Sequence, residues 1–284
     1  MRIIQSCADC LYDKQQHLTD DEGYLAEVRN IIDNRDENDT SPYLVYLFNQ
    51  AYERRFGKRS PYKEIKRKYN DLVLSLEPKL REKIEASSDP LATSLIYSRL
   101  GNYIDFGAMN TVDEDTFLGL LEQGEREGVK TRDIPVVDSL ISQCATAGRF
   151  LLITDNCGEI VLDKLFLEQL KKRFPQLEIT VLVRGGEVLN DATIEDAEYV
   201  CLTKIARTIG NGNSIGGTVY NMLTDEAKEA LDNSDVILAK GQGNYESLCR
   251  QGRHIFYSFL CKCDLFTDRF SVPRLTGIIV EERS

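Results

Sequence analysis

The chain has no tryptophan, three methionines and only two histidines, His17 and His254, and no apolar run reaches the roughly 18 residues that a membrane-spanning helix needs. Two histidines leave little room for a histidine phosphatase or a His-rich zinc enzyme. His17 reads as a surface residue in a polar helical segment, and His254, at the start of a strand, as structural. The opening stretch MRIIQSCADCLYDKQQ lacks the apolar core of a secretory signal, which points to a cytoplasmic protein. Positive charge is also short: 35 Lys and Arg stand against 46 Asp and Glu, a net charge of -11. No long basic run offsets it, so neither nucleic acid nor a membrane is an expected partner. A small anion is another matter, because a metal ion or a cluster of donors can reverse the sign inside one pocket.

Several catalytic signatures are missing as well. The sequence contains no G-x-x-x-x-G-K-[ST] and no G-x-S-x-G. Gly210, Gly212 and Gly216 fall one residue off the spacing of a dinucleotide loop, which makes a nicotinamide enzyme the weakest reading. Asp113-Glu114-Asp115 lies in a helical pattern rather than after an apolar strand. It therefore does not supply the aspartyl nucleophile of the haloacid-dehalogenase phosphatases and reads as a solvated helix start.

What is present is an ordinary globular composition: 284 residues, 42% hydrophobic and 29% charged, enough to bury a sizeable core. The eight cysteines, at 7, 10, 144, 157, 201, 249, 261 and 263, follow no rhythm, and free thiols are expected in a chain of this size. From about residue 12 to residue 148 apolar residues recur at intervals of three and four, the pattern of helices. Ser60-Pro61 and Asp89-Pro90 have the form of helix starts, an N-cap residue followed by proline. After Arg149 short apolar runs alternate with helical segments, as in βαβ units under a parallel sheet. FLLIT, EITVLVR, IARTIG, DVILAKG and HIFYSFL are the expected strands, with LTGIIVEERS as an edge strand. The expectation is a three-layer α/β/α Rossmann-like domain with a mostly parallel sheet over 149–284, preceded by an all-helical region over 1–148 that packs over the active site.

In such a sheet ligands bind outside the carboxyl ends of the strands. Four of the expected strands end in polar, glycine-bearing loops: Thr154-Asp155-Asn156, Arg184-Gly185-Gly186 leading to Asn190-Asp191, Asn211-Gly212-Asn213-Ser214, and Lys240-Gly241-Gln242-Gly243-Asn244. Asp155, Asn156 and Asp191 offer hard oxygen ligands suited to Mg²⁺, Mn²⁺ or a similar divalent ion. Lys240, Arg184 and backbone N–H groups at the glycine turns supply what a phosphate needs. A cation site beside an anion cradle fits metal-assisted phosphoryl chemistry. For any one loop the commoner role of Asp and Asn is to cap the following helix, and four such loops along one edge turn the balance. Cys7-Ala8-Asp9-Cys10 has metal-ligand spacing but no second C-x-x-C. With Cys263 from Cys261-Lys262-Cys263 it makes a candidate second metal or redox site.

Five segments together resemble the metal-dependent damage-control phosphatases, first catalogued as domain of unknown function 89: C-A-D-C at the start, G-N-Y-I-D-F-G at 101–107, T-D-N-C-G-E at 154–159, R-G-G-E-V-L-N-D-A-T at 184–193 and K-G-Q-G-N-Y-E at 240–246. The paired cysteines are similar to the prokaryotic branch. The resemblance implies that Asp155, Asn156 and Asp191 hold a divalent ion (Mg, Mn, Co or Ni). It also implies that Lys240 binds phosphate and that Asn102 and Asp105 reach the pocket from the helical region. With Arg184, Gly185, Ser214, Gly241, Asn244 and Glu246 these make up the expected substrate site, and Asp155, Asp191 and Lys240 the expected catalytic set. The expected function is hydrolysis of small phosphomonoesters, such as sugar phosphates or damaged phosphometabolites, by attack of water or of Asp155. A non-catalytic nucleotide or phosphometabolite binder is the alternative. The natural substrate, the metal and the oligomeric state stay open at this level.

Overall fold

The computed structural model describes residues 1–58, 62–104, 114–128, 130 and 132–283. Asp105, Asp113 and the Ser60-Pro61 helix start lie outside them. Among the described residues six strands form one sheet: β1 (Arg149–Ile153), β2 (Glu178–Val183), β3 (Arg207–Gly210), β4 (Val236–Lys240), β5 (Ile255–Leu260) and β6 (Gly277–Glu282). Their order across the sheet is β3-β2-β1-β4-β5-β6. All neighbours run parallel except β6, which pairs antiparallel with β5 along the edge. The chain winds outward one way from β1 and the other way from β4. The crevice between the ends of these two strands is therefore the switch point at which open α/β sheets bind ligands.

Among the described residues seven helices precede the sheet: α1 (Gln5–Gln16), α2 (Glu22–Asp33), α3 (Ser41–Phe56), α4 (Lys63–Ala86), α5 (Pro90–Leu100), α6 (Glu114–Glu127) and α7 (Ile134–Cys144). Five more lie among the strands: α8 (Glu159–Arg173), α9 (Ile194–Tyr199), α10 (Asp225–Asn233), α11 (Gln242–Leu248) and α12 (Asp264–Phe270). Helix α1 begins well before residue 12 and carries the C-A-D-C segment. Helix α12 has no counterpart in the apolar pattern, because it is a short helix opening directly from the turn after β5. Asp89 caps α5 as its sequence suggests, accepting from the amides of Leu91 and Ala92 at 3.1 Å each, with Pro90 at the first helical position.

The continuous apolar strands are explained by burial on both faces. On one face Phe150, Leu152, Val181, Val183, Val236 and Leu238 pack with α4–α8; on the other Leu151, Ile153, Leu182, Ile237, Ala239 and Tyr257 pack with α10–α12. Helices α1–α3 close a third, smaller core around Tyr24, Val28, Leu44 and Phe48. Helix α5 lies against α8 and runs into a 3₁₀ turn at Gly101–Ile104. A Cβ on Gly101 would stand 2.9 Å from Glu159 Cγ, so glycine there lets the turn approach the start of α8 and deliver Asn102 to it.

Candidate active site

Asp155 and Asn156 follow β1 in the crevice, and they do not cap α8. The residue that precedes α8 is Gly158, at φ +80°, and its amide is satisfied from α4, donating to Asn70 Oδ1 at 2.7 Å. The Asp155 carboxylate instead accepts at Oδ2 from Asn102 Nδ2 (2.9 Å) and Asn156 Nδ2 (2.8 Å). Both carboxamides also donate to Glu159 Oε2, at 3.0 and 3.2 Å. Asn156 Oδ1 accepts from Asn190 Nδ2 at 3.0 Å and, as a carbonyl oxygen, keeps a second lone pair. The capping role expected of a lone loop is therefore not the one these two side chains play.

Asp191 arrives from the β2–α9 connection, joined to Asn156 by an isolated backbone bridge. Its Oδ2 accepts from Arg184 Nε at 2.7 Å. Arg184 is 1% exposed and donates through Nη1 to Gly217 O and Asn244 Oδ1, each at 3.1 Å. Its Nη2 lies 3.7 Å from Asp155 Oδ1 and is a buried donor with no hydrogen-bond partner. Asn244, fully buried, also donates to Thr154 O and Lys240 O, tying the ends of β1 and β4 together.

Lys240, at the end of β4, is fully buried. Its Nζ donates to Ser98 O (3.0 Å), Ser98 Oγ (2.9 Å) and Asp163 Oδ1 (2.7 Å), and lies 2.7 Å from Glu159 Oε1. Burial alone would lower its pKa, but Asp163 and Glu159 more than reverse that and hold the ammonium charged. Gly241 has φ +83°, and a Cβ there would fall 2.2 Å from Asp155 Cγ. The glycine thus makes room for the Asp155 carboxylate. Gly185 is constrained in the same way. Its amide donates to Asn211 Oδ1 at 2.7 Å, and a Cβ would strike Gly212 N at 2.3 Å, so the β2 and β3 loops interlock.

Four buried carboxylates, Asp155, Glu159, Asp163 and Asp191, thus share one network with two buried cations, Arg184 and Lys240. With all four carboxylates ionised, these six groups carry two more negative than positive charges. The deficit is felt at Asp155, whose pKa is pushed well above the usual carboxyl range by burial and then by Asp191 and Glu159. Among the described residues no three His, Cys, Asp or Glu side chains converge as a metal cage, and the third donor of the oxygen trio is a carboxamide. Two carboxylates and one carboxamide oxygen form a donor set that fits a hard divalent ion.

Known proteins share this arrangement of the chain. Residues 1–275 match the model of the damage-control phosphatase ARMT1-like domain. The chain belongs to this family. It is similar to a damage-control phosphatase of Archaeoglobus fulgidus, 32% identical over 93% of each chain. A damage-control phosphatase of Pyrococcus horikoshii is 30% identical over 77% of this chain and 73% of its own length. The crystal structure of a P. horikoshii protein, described as a member of the DUF89 family, superposes over the full length of both chains with a TM-score of 0.80 at 22% identity. The last likeness speaks to the fold.

In this family member a cleft of about 460 Å³ opens over the switch point, between α1 and α3 on one side and the sheet-edge loops on the other. Asp155, Asn156, Asp191, Ser214 and Glu246 line it, as do Cys7, Cys10 and Cys263. Burial pushes the Glu246 carboxyl up, and its Oε1 accepts from Gln242 Nε2 at 2.8 Å. Arg184, Gly185, Lys240, Gly241, Asn244 and Asn102 stand behind the wall, bonded as described above. Sequence reasoning passed over Glu159 and Asp163, which α8 carries inward on its buried face, and Lys14 and Lys262, which line the cleft. The signal for Lys262 was available, since it follows β5 and so belongs to the same strand-end edge as the other loops.

Proposed function

We propose that the chain is a metal-dependent phosphatase that hydrolyses phosphomonoesters of small metabolites, with Asp155, Asn156 and Asp191 as the ligands of one divalent ion. The supporting observation is the charge deficit of the buried network, at the place where the cleft meets the ends of β1 and β4. When bound, such an ion polarises a phosphoryl oxygen and eases attack by water. Asp155 and Asp191 line the cleft and offer hard oxygen donors there. Arg184 holds Asp191, Asn102 holds Asp155, and Lys240 balances Glu159 and Asp163 behind them. Lys262 lines the cleft and counters the Asp155 charge, which suits it to face the substrate phosphate. Asp155 Oδ2 accepts two hydrogen bonds, so a nucleophilic Asp155 would attack through Oδ1. Inversion at a chiral phosphorus would assign the attack to water, and retention would assign it to Asp155 through a phospho-aspartate.

The test is phosphate release from an aryl phosphate with Mg²⁺, Mn²⁺, Co²⁺ or Ni²⁺, against EDTA and against Asp155→Ala. Chelation should abolish turnover, and Asp155→Ala should cost on the order of a hundredfold or more, a few kcal/mol of barrier. Equal rates with and without EDTA would remove the metal from the reaction. A protein that retains phosphorylated ligands but releases no phosphate across a broad panel would instead be a binder.

A further inference from the structure

Four of the eight cysteines, Cys144, Cys157, Cys249 and Cys261, are buried. Of the four that reach solvent, Cys7, Cys10 and Cys263 line the cleft that holds Asp155 and Asp191, and Cys201 does not. Cys7 and Cys10 sit one turn apart on α1, so their Cα atoms are about 5 Å from one another by helix geometry, within the range a disulfide spans. Cys263 lines the same cleft and is close enough to Cys7 to act on its thiol. It is the N-cap residue of α12, next to Lys262, and its Sγ accepts from Gln242 Nε2 at 3.8 Å. A hard ion held by oxygen atoms has no use for these thiols. Nor are they poised as nucleophiles toward substrate: burial, then Glu246 and Cys263, push the Cys7 thiol up, and burial does the same to Cys263.

We propose that Cys7 and Cys263 form a reversible dithiol–disulfide site in the wall of the substrate cleft, with Cys10 as the neighbouring thiol that can reopen it. The disulfide requires Cα atoms within about 7 Å, and it would tie α1 to the turn that carries Lys262 within the cleft wall, where it would obstruct substrate. With a small disulfide RSSR as oxidant, the Cys7 thiolate attacks one sulfur and expels RS⁻, which takes up the proton that Cys7 lost. The Cys263 thiolate then attacks Cys7 Sγ and expels the second RS⁻, protonated in turn. Two protein thiols and RSSR become one protein disulfide and two RSH, a two-electron oxidation of the protein. Attack by Cys10 on Cys7 Sγ moves the bond within α1 and frees Cys263.

The consequence for turnover rests on the phosphatase reading, and the pairing does not. The purified full chain is treated with oxidised glutathione, its remaining thiols are alkylated, and its peptides are mapped beside aryl phosphate turnover. A peptide joining Cys7 to Cys263 is expected, with turnover lost in proportion to its yield and regained with dithiothreitol. Cys7→Ser and Cys263→Ser should each show the same turnover before and after oxidant, while Cys201→Ser stays sensitive. Absence of a Cys7–Cys263 link, a link confined to other cysteines, or a link that leaves turnover intact would overturn the proposal. A protein inactive even when reduced would fail the phosphatase reading, and the peptide map would still decide the pairing.

Discussion

Two lysines at strand ends illustrate how differently the same residue can serve one site. Lys240 is sealed between Glu159, Asp163 and Ser98, so Lys240→Ala strands buried carboxylates without their cation. That should cost about 3–5 kcal/mol of stability, read as a lower urea midpoint, whether or not activity is measured. Lys262 stands at the cleft wall. Lys262→Ala should leave the urea midpoint nearly unchanged and lower kcat/KM by roughly 10- to 100-fold, the worth of a hydrogen bond to a charged group. The reverse pattern would mean that Lys240, and not Lys262, faces the substrate. Sequence reasoning placed Lys240 correctly at the end of a buried run and attributed to it a phosphate. It could not see that Ser98 and Asp163, far along the chain, take up its donors. Asn102 was legible only by resemblance, because a polar residue beside a helix-ending glycine looks like any other helix terminus.

At the scale of elements, what the sequence showed well was everything carried by apolar periodicity. All six strands and the loops at their carboxyl ends lie where the short apolar runs place them, because a sheet covered on both faces leaves runs that little else imitates. What it hid were contacts between elements. The apposition of α5 on α8 depends on Gly101, and the inward turn of Glu159 and Asp163 is visible only once α8 is packed. The edge strand β6 has its own anchor of this kind. Glu281 accepts from His254 Nε2 (2.8 Å), Ser139 Oγ (3.0 Å) and Arg283 Nη2 (3.1 Å). Burial would raise its pKa, but Arg283, His254 and Ser139 together bring it down to about 2. A carboxyl held below its unfolded value stabilises the fold above that value and loses the effect as pH falls toward the folded one. Urea midpoints of the wild type should therefore decline between about pH 5 and pH 2 more steeply than those of Glu281→Gln. Parallel declines would show that Glu281 does not anchor the edge.

For the whole molecule, a chain of net charge -11 gathers four carboxylates at its switch point and covers them with helices from its first half. Self-repulsion of that kind calls for a counter-ion. Among the described residues no helix is long and apolar enough to cross a membrane, and the cleft between α1, α3 and the sheet edge is sized for a small molecule. An ion that binds only the folded chain also adds to its stability by mass action, so EDTA should lower the melting temperature of metal-loaded protein. The most direct test of the account is a titration with Mn²⁺ followed by the electron paramagnetic resonance of the free ion, on wild type and on Asp191→Asn. The account predicts one tight site per chain in the wild type. In the variant it predicts an affinity weaker by about a hundredfold or more, at or beyond the upper end of what loss of an outer-shell partner costs. Identical stoichiometry and affinity in the two proteins would place the ion elsewhere and contradict it.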